Sequence, residues 1–291
     1  MRVVIDTDPG IDDAIAILFA LLHPGIEVAA LTTVGGNIGL AATTRNAGRV
    51  LALLGRGVPV HPGAAAPLRR PARHETAVHG ADGLGGVPFP APLVAPSPEG
   101  AVEAMAALVG DGVTTLLTLG PLTNLAHLLE RAPEAAARLT RVIAMGGAVD
   151  GPGNVGPRAE FNIAHDPDAA AIVLAAGLPL TLVPLDATRQ LRADRAYVEA
   201  LAALGTPAGR AASHLIDAYF ASTTGPESRP LHDPCVPLLL AHPERFTLET
   251  RRLAVDLADG ALVPGPHPVR VATGLAAPPL LAALRETLGA R

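Results

Sequence analysis

The sequence predicts an α/β fold with a mostly parallel central sheet flanked by helices. Three observations predict it. Short apolar runs alternate with Ala/Leu-rich helical stretches along the chain. The apolar runs show no period-two alternation, as expected of strands covered on both faces. The 291 residues, 49% hydrophobic and 17% charged, suffice for one large buried core, so a single domain over 1–291 is expected.

The elements follow in order. "RVVID" (2–6) reads as a strand, and "IDDAIAILFALLHP" (11–24) as a helix stopped at His23-Pro24. "IEVAALTTV" (26–34) is a second strand, and "LAATTRNAGRVLALLG" (40–55) a helix closed by Gly55. "GVTTLLTLG" (112–120) and "RLTRVIAMGG" (138–147) are strand-like, while "LTNLAHLLERAP" (122–133) and "DPDAAAIVLAAG" (166–177) are helical. The longest uncharged run, 169–185, is broken by Gly177, Pro179 and Pro184. It is too short to span a bilayer and reads as a buried helix followed by a buried strand. The stretch 59–100 is crowded with Pro and Gly and lacks periodicity, and 222–234 is a second irregular region.

Composition excludes several functions. A net charge of −5 with 2% aromatics and no Trp gives neither a basic footprint nor a stacking platform for nucleic acid. All 22 basic residues are Arg, so a Walker A loop, a Schiff-base lysine and a kinase-type lysine are impossible. Cys235 is the only cysteine, so no intrachain disulfide forms, and "MRVVIDTD" lacks a signal-peptide apolar stretch. A soluble cytoplasmic protein without membrane or nucleic-acid partners is the expectation.

The chemistry concentrates in "DTDPGIDDA" (6–14), which places four aspartates inside eight positions behind the first strand. Asp8 before Pro9 reads as a helix N-cap, with Asp12 and Asp13 in the first turn where the helix dipole favours carboxylates. Capping needs two of these acids and leaves the others unexplained. The carboxyl end of a parallel strand is where α/β proteins bind ligands, and oxygen-only donors at this density suit Ca²⁺ or Mg²⁺ rather than zinc. An EF-hand loop would require a terminal Glu that is absent, and a haloacid-dehalogenase-type phosphatase would require a lysine. "HETAVH" (74–79) has one residue too many for the zinc motif HExxH.

Further blocks recur along the chain: "TTVGGN" (32–37), "VHGADGL" (78–84), "LGPLTNLA" (119–126), "MGG" (145–147), "GNVGPRAEFNIAHDPDAA" (153–170) and "LHDP" (231–234). With "DTDPGIDDA" they resemble, nearly end to end, the nucleoside hydrolases, the inosine–uridine-preferring nucleoside N-ribohydrolase group. The resemblance implies a Rossmann-like nucleoside hydrolase fold and one Ca²⁺ held by Asp8, Asp13, Asp233 and the carbonyl of Leu119, where the family often has Thr. It implies hydrolysis of the N-glycosidic bond of ribonucleosides to ribose and free base, with Asp8 as general base and His232 as proton donor to the base. Asp12, Asn37, Asn154, Glu160 and Asn162 would hold the ribose, and His79 would contact the base. Glu160 and Asn162 at i and i+2 would point the same way from a locally extended chain. Relatives are commonly homodimers or homotetramers. A different ribosyl substrate, or a non-catalytic nucleoside- or sugar-binding protein, are the alternatives. The family's purine-specific branch sandwiches the base between Trp residues, which this chain lacks. Tyr219 or Phe220 are candidates for the base pocket, and the role of Arg189 in "LDATRQ" is not legible.

Overall fold

Val3 and Ile5 pack into one hydrophobic cluster, and Val4 between them into another. The same split recurs at Leu117 against Leu116, at Ile143 and Met145 against Val142 and Ala144, and at Val183 against Leu182. Each run therefore sends alternate side chains to opposite faces, and both faces are covered. This is why the runs are apolar throughout.

The structure is a computed structural model that describes residues 1–223 and 228–290. Residues 224–227, within the irregular stretch 222–234, and Arg291 lie outside the described residues. The strands are β1 (Arg2–Thr7), β2 (Glu27–Thr33), β3 (Val60–Pro62), β4 (Thr115–Thr118), β5 (Arg141–Met145), β6 (Leu180–Val183), β7 (Arg192–Asp194), β8 (Ser228–Pro230), β9 (Phe246–Val255), β10 (Leu262–Pro264) and β11 (His267–Leu275). Nine form one sheet in the order β10-β9-β11-β6-β5-β4-β1-β2-β3, and β7 pairs with β8 separately. From β3 across to β11 every pairing is parallel, and β9 runs antiparallel to both β11 and β10.

Chain order moves outward from β1 in both directions: β2 and β3 to one side, β4, β5 and β6 to the other. The boundary between β1 and β4 is thus a topological switch point, where the following loops diverge and leave a crevice at the strands' carboxyl ends.

The helix Ile11–Leu22 buries every residue from Ile11 to Ala20, and its chain stops at His23, whose N–H reaches the Phe19 carbonyl. Its N-cap is Gly10, not Asp8. The reading of Asp8 as cap fails because Asp13, three residues after Gly10, reaches back to the Gly10 N–H (2.9 Å), leaving Asp8 and Pro9 in the lead-in. The Pro/Gly-rich stretch contains the three-residue edge strand β3 and the single turn Thr76–His79, both too short to show a period. The helix Ala101–Gly110 follows directly. Among the described residues no helix is long and apolar enough to cross a membrane.

Phe19 is fully buried in the larger cluster. Phe19→Ala should cost about 3–5 kcal/mol of stability. Urea unfolding followed by circular dichroism checks this, and a loss under about 1 kcal/mol would mean that the core collapses around the gap.

Candidate active site

Asp8 leaves the carboxyl end of β1, and its neighbours are mostly backbone. Its Oδ2 accepts the Asn37 N–H (2.7 Å), and the Asn37 side-chain amide donates to the Asp8 carbonyl (3.3 Å). A Cβ at Gly36 would lie 2.1 Å from Oδ2, and one at Gly120 would lie 2.3 Å from Oδ1. The glycines of "TTVGGN" and "LGPLTN" thus make room for one carboxylate. Asp8 Oδ1 is buried and has no hydrogen-bond partner among the described residues.

Asp13 is fixed more fully. It accepts from the Thr7 hydroxyl (2.6 Å), the Asp8 N–H (3.3 Å), the Gly10 N–H (2.9 Å) and the Asn37 amide (3.1 Å). Oxygens of Asp12, Asp13 and Asp233 all lie within 4.8 Å of one another. The chain therefore brings an acid from position 233 against two from its first helix. Asp8 stands beside this trio rather than in it. Asp6, the fourth aspartate of the opening stretch, belongs to the scaffold: it takes hydrogen bonds from Thr32 (2.6 Å) and Asn124 (2.7 Å).

The electrostatics follow from crowding. Burial and then the charge of Asp13 push the Asp12 carboxyl up to about 7, against the backbone N–H groups of Asp12, Asp233 and His232. Burial, Asp13 and Asp12 hold Asp8 well above the usual carboxylate range. Asp233 is raised by burial and by Asp12, Asp13 and Asp8. Oxygen donors that repel one another, with one buried oxygen unpartnered, form a set that fits a hard divalent cation.

Of these acids Asp12 and Asp233, but not Asp8 or Asp13, line a cavity of about 320 Å³. Asp12, Asn37, His79, Leu119, Asn154, Glu160, Asn162, His232 and Asp233 line it, so residues spread from 12 to 233 share one wall system. The Leu119 carbonyl accepts the Asn162 amide (2.7 Å), leaving its second lone pair. Asn154 turns its Oδ1 to the Phe161 N–H (2.9 Å). Glu160 and Asn162 both reach the cavity, but not from an extended chain. Glu160 is the N-cap of the short helix Phe161–His165, and its carboxylate takes the N–H groups of Gly147, Asn162 and Ile163. The i, i+2 argument therefore fails, because Glu160 satisfies the free N–H groups of that helix.

His79 docks its Nδ1 on the Ile11 N–H (3.0 Å), capping the opening helix from the Pro/Gly-rich stretch. His232 Nδ1 lies 2.7 Å from the Thr188 hydroxyl. Burial and then the guanidinium charges of Arg189 and Arg192 press the His232 imidazole down to about 3. The His79 Nδ1 is thus an acceptor, and the His232 imidazole is a neutral hydrogen-bonding group.

Tyr219 lines the cavity, and Phe220 does not: its ring packs under the guanidiniums of Arg195 and Arg229, at 3.9 and 4.5 Å. Glu75, Val78, Met145 and Arg189 also line it. Sequence reasoning assigned none of them. Arg189 had one usable signal, its place just past the carboxyl end of β6. Cys235 is buried, donates to the Leu231 carbonyl and has its thiol pushed up by burial, as suits a small buried hydrophobe.

The chain is similar to known proteins over nearly its whole length. Residues 3–281 match the family model of the inosine-uridine preferring nucleoside hydrolases. The pyrimidine-specific ribonucleoside hydrolase RihA of Salmonella agona is 41% identical over 263 residues, covering 88% of this chain and 84% of that protein. The uncharacterized protein C1683.06c of Schizosaccharomyces pombe is 39% identical, covering 85% and 82%. Among solved structures, the plant nucleoside hydrolase PpNRh1 matches with a TM-score of 0.94 at 33% identity, over 100% and 99% of the two chains. The purine-preferring ribonucleoside hydrolase of Gardnerella vaginalis matches with 0.94 at 28% identity, over 99% and 98%.

The close approach at Gly120 gives a direct test of the Asp8 geometry. A methyl there must displace the Asp8 carboxylate, so Gly120→Ala should lower kcat for nucleoside hydrolysis roughly 100-fold. Overpacking should cost about 1–3 kcal/mol of stability, leaving a folded protein. Steady-state ribose release together with a melting curve separates the two effects, and unaltered turnover would show that Asp8 tolerates the shift.

Proposed function

The chain belongs to the inosine-uridine preferring nucleoside hydrolase family and is a nucleoside hydrolase, and from that premise we propose that it is a Ca²⁺-dependent enzyme that cleaves pyrimidine ribonucleosides to ribose and base. The convergence of Asp12, Asp13 and Asp233 within 4.8 Å carries the metal part of this reading. The 41% identity to a hydrolase named as pyrimidine-specific, with the absence of any Trp to sandwich a purine, supports the base preference. The one sheet built from residues 2 to 275 supports a single domain.

Asp8, Asp13, Asp233 and the Leu119 carbonyl would hold the cation, with Asp12 completing the acidic wall. The chemistry that such a cation supplies is Lewis-acid polarisation of a water and of vicinal ribose hydroxyls.

The residues of the chain do the rest. Asp8 takes the proton of the attacking water at Oδ1, its only oxygen without a partner. As the glycosidic bond lengthens, positive charge grows on the ribose ring, and the carboxylates of Asp12, Asp13 and Glu160 oppose it. Asn37, Asn154, Glu160 and Asn162 grip the sugar hydroxyls. Each is already tied to backbone groups, so little conformational freedom is lost when substrate arrives. His79 and His232 face the base, and His232 assists its departure.

Ribose release from uridine, cytidine, inosine and adenosine, with and without chelator, tests the reading. Uridine and cytidine should exceed the purines at least about tenfold in kcat/KM, since pocket fit of this kind is worth roughly 1–3 kcal/mol. EGTA should abolish turnover and excess Ca²⁺ restore it. Asp8→Asn should lower kcat by about 10²–10⁴. Full activity in EGTA would remove the metal, and an undiminished Asp8→Asn enzyme would remove the base.

A further inference from the structure

The turn that follows β6, residues 185–190, holds two walls of the cavity at once. Asp186 accepts the N–H groups of Val149, Asp150 and Gly151 at 2.8, 2.8 and 2.7 Å. Arg189 donates to the carbonyls of Pro152 and Gly153 at 2.5 and 2.8 Å. The loop that carries Asn154 is therefore fastened to this turn along five consecutive residues. Gln190 ties the turn to the Asp186 carbonyl (2.8 Å) and to the Leu275 N–H at the end of β11 (3.2 Å). Between Asp186 and Arg189 lies Thr188, fully buried, whose hydroxyl meets His232 Nδ1 at 2.7 Å.

That hydroxyl settles where the imidazole keeps its proton. A buried O–H must give its hydrogen to an acceptor or forfeit the bond. Among the described residues the Thr188 hydroxyl has one partner, His232 Nδ1. If Nδ1 carried the proton, it would donate to the Thr188 oxygen and leave the hydroxyl hydrogen stranded in the core. Donation from Thr188 to Nδ1 satisfies both groups and places the imidazole proton on Nε2. His232 lines the cavity, and its Nε2 meets no hydrogen-bond partner among the described residues.

We propose that Thr188 is a positioning residue for hydrolysis: by donating to His232 Nδ1 it fixes the ring's orientation and its Nε2–H tautomer, so that Nε2–H meets the departing base. This rests on the hydrolase reading above and refines it. His232 acts as a neutral electrophile, its Nε2–H donating a hydrogen bond to the base as the glycosidic electron pair moves onto it, so that the base leaves as its resonance-stabilised anion and takes its proton from solvent. No charged imidazolium has to form, a mode of action open to neutral histidines. Because Asp186 and Arg189 hold the sugar-side loop from the same turn, the donor and the Asn154 loop share one rigid mount. A pyrimidine, whose carbonyl oxygen next to the glycosidic nitrogen accepts such a bond, is the base class this donor fits.

Thr188→Val keeps the shape and removes the hydroxyl, freeing the ring to flip and to adopt the other tautomer. Its kcat on uridine should fall roughly 10- to 100-fold with KM within about threefold, the scale of a lost hydrogen-bond donor to a leaving group. On 4-nitrophenyl β-riboside, whose leaving group needs no donor, kcat should stay within about threefold of wild type. Thr188→Ser should recover uridine turnover, and Thr188→Val added to His232→Ala should cost nothing more. Nitrogen-15 shifts of His232 in the wild-type protein, assigned through His232→Gln, read the tautomer without any turnover: Nδ1 bare and Nε2 protonated. Equal losses on the two substrates, unchanged uridine turnover, or a protonated Nδ1 would each overturn the assignment. Wild-type protein that releases ribose from neither substrate defeats the proposed activity, and the nitrogen shifts still decide the tautomer.

Discussion

Carboxylates buried closer together than water would allow are the constraint on which this structure turns. Two unit charges 4.8 Å apart repel by about 3 kcal/mol at an effective dielectric near 20. Asp12, Asp13 and Asp233 pair three ways, and Asp8 adds to each. A marginally stable fold does not tolerate that repulsion without compensation. Part of it comes from backbone: the start of the helix Ile11–Leu22 turns its N–H groups and its positive dipole end toward Asp13 and its neighbours. Part comes from Asn37, which donates to both Asp8 and Asp13. The rest is left to a proton or a cation: burial first, and the neighbouring acids after it, raise the proton affinities of Asp8, Asp12 and Asp233.

Much of the fold was legible because burial on two faces writes itself as unbroken apolar runs, and β1, β2, β4, β5 and β6 all have such runs. β3 was not legible: three residues ending in Pro62 carry no period. Nor were β9 and β11, whose faces are only partly covered, so that "FTLETRRLAV" mixes charge with apolar residues at no clean spacing. In the site, the acids were legible because their density has no cheap structural explanation. Thr188 and Arg189 were not, since a Thr and an Arg after a strand are unremarkable until their partners, His232 and the carbonyls of Pro152 and Gly153, are seen.

The limit of motif reading shows in a repeated tripeptide. His-Asp-Pro occurs at 165–167 and again at 232–234. At the first occurrence Asp166 caps the helix Pro167–Ala175 and takes hydrogen bonds from the Leu68 N–H (2.9 Å) and the Thr123 hydroxyl (2.7 Å). Its partners there are all donors of the scaffold. At the second, Asp233 faces two other carboxylates. The residues are identical and the chemistry opposite, because what surrounds a carboxylate, donors or other acids, decides whether it is a strut or a ligand.

The second tripeptide also joins the two halves of the proposed reaction. Asp233 belongs to the wall of acids, and His232 to the wall mounted on the turn after β6. Consecutive α-carbons are held about 3.8 Å apart by the peptide bond. The α-carbons that carry the sugar-side acid and the base-side imidazole are therefore spaced by covalent geometry, while the Thr188 hydrogen bond orients the ring. The remaining members can be contributed by loops as unlike as 35–37, 75–79 and 149–154, because none of them sets this spacing. Each needs only to be pinned to backbone nearby, and the hydrogen bonds of Asn37, His79 and Asn154 do that. On the proposed reading, base preference would then be set by lining residues such as Tyr219 or Val78.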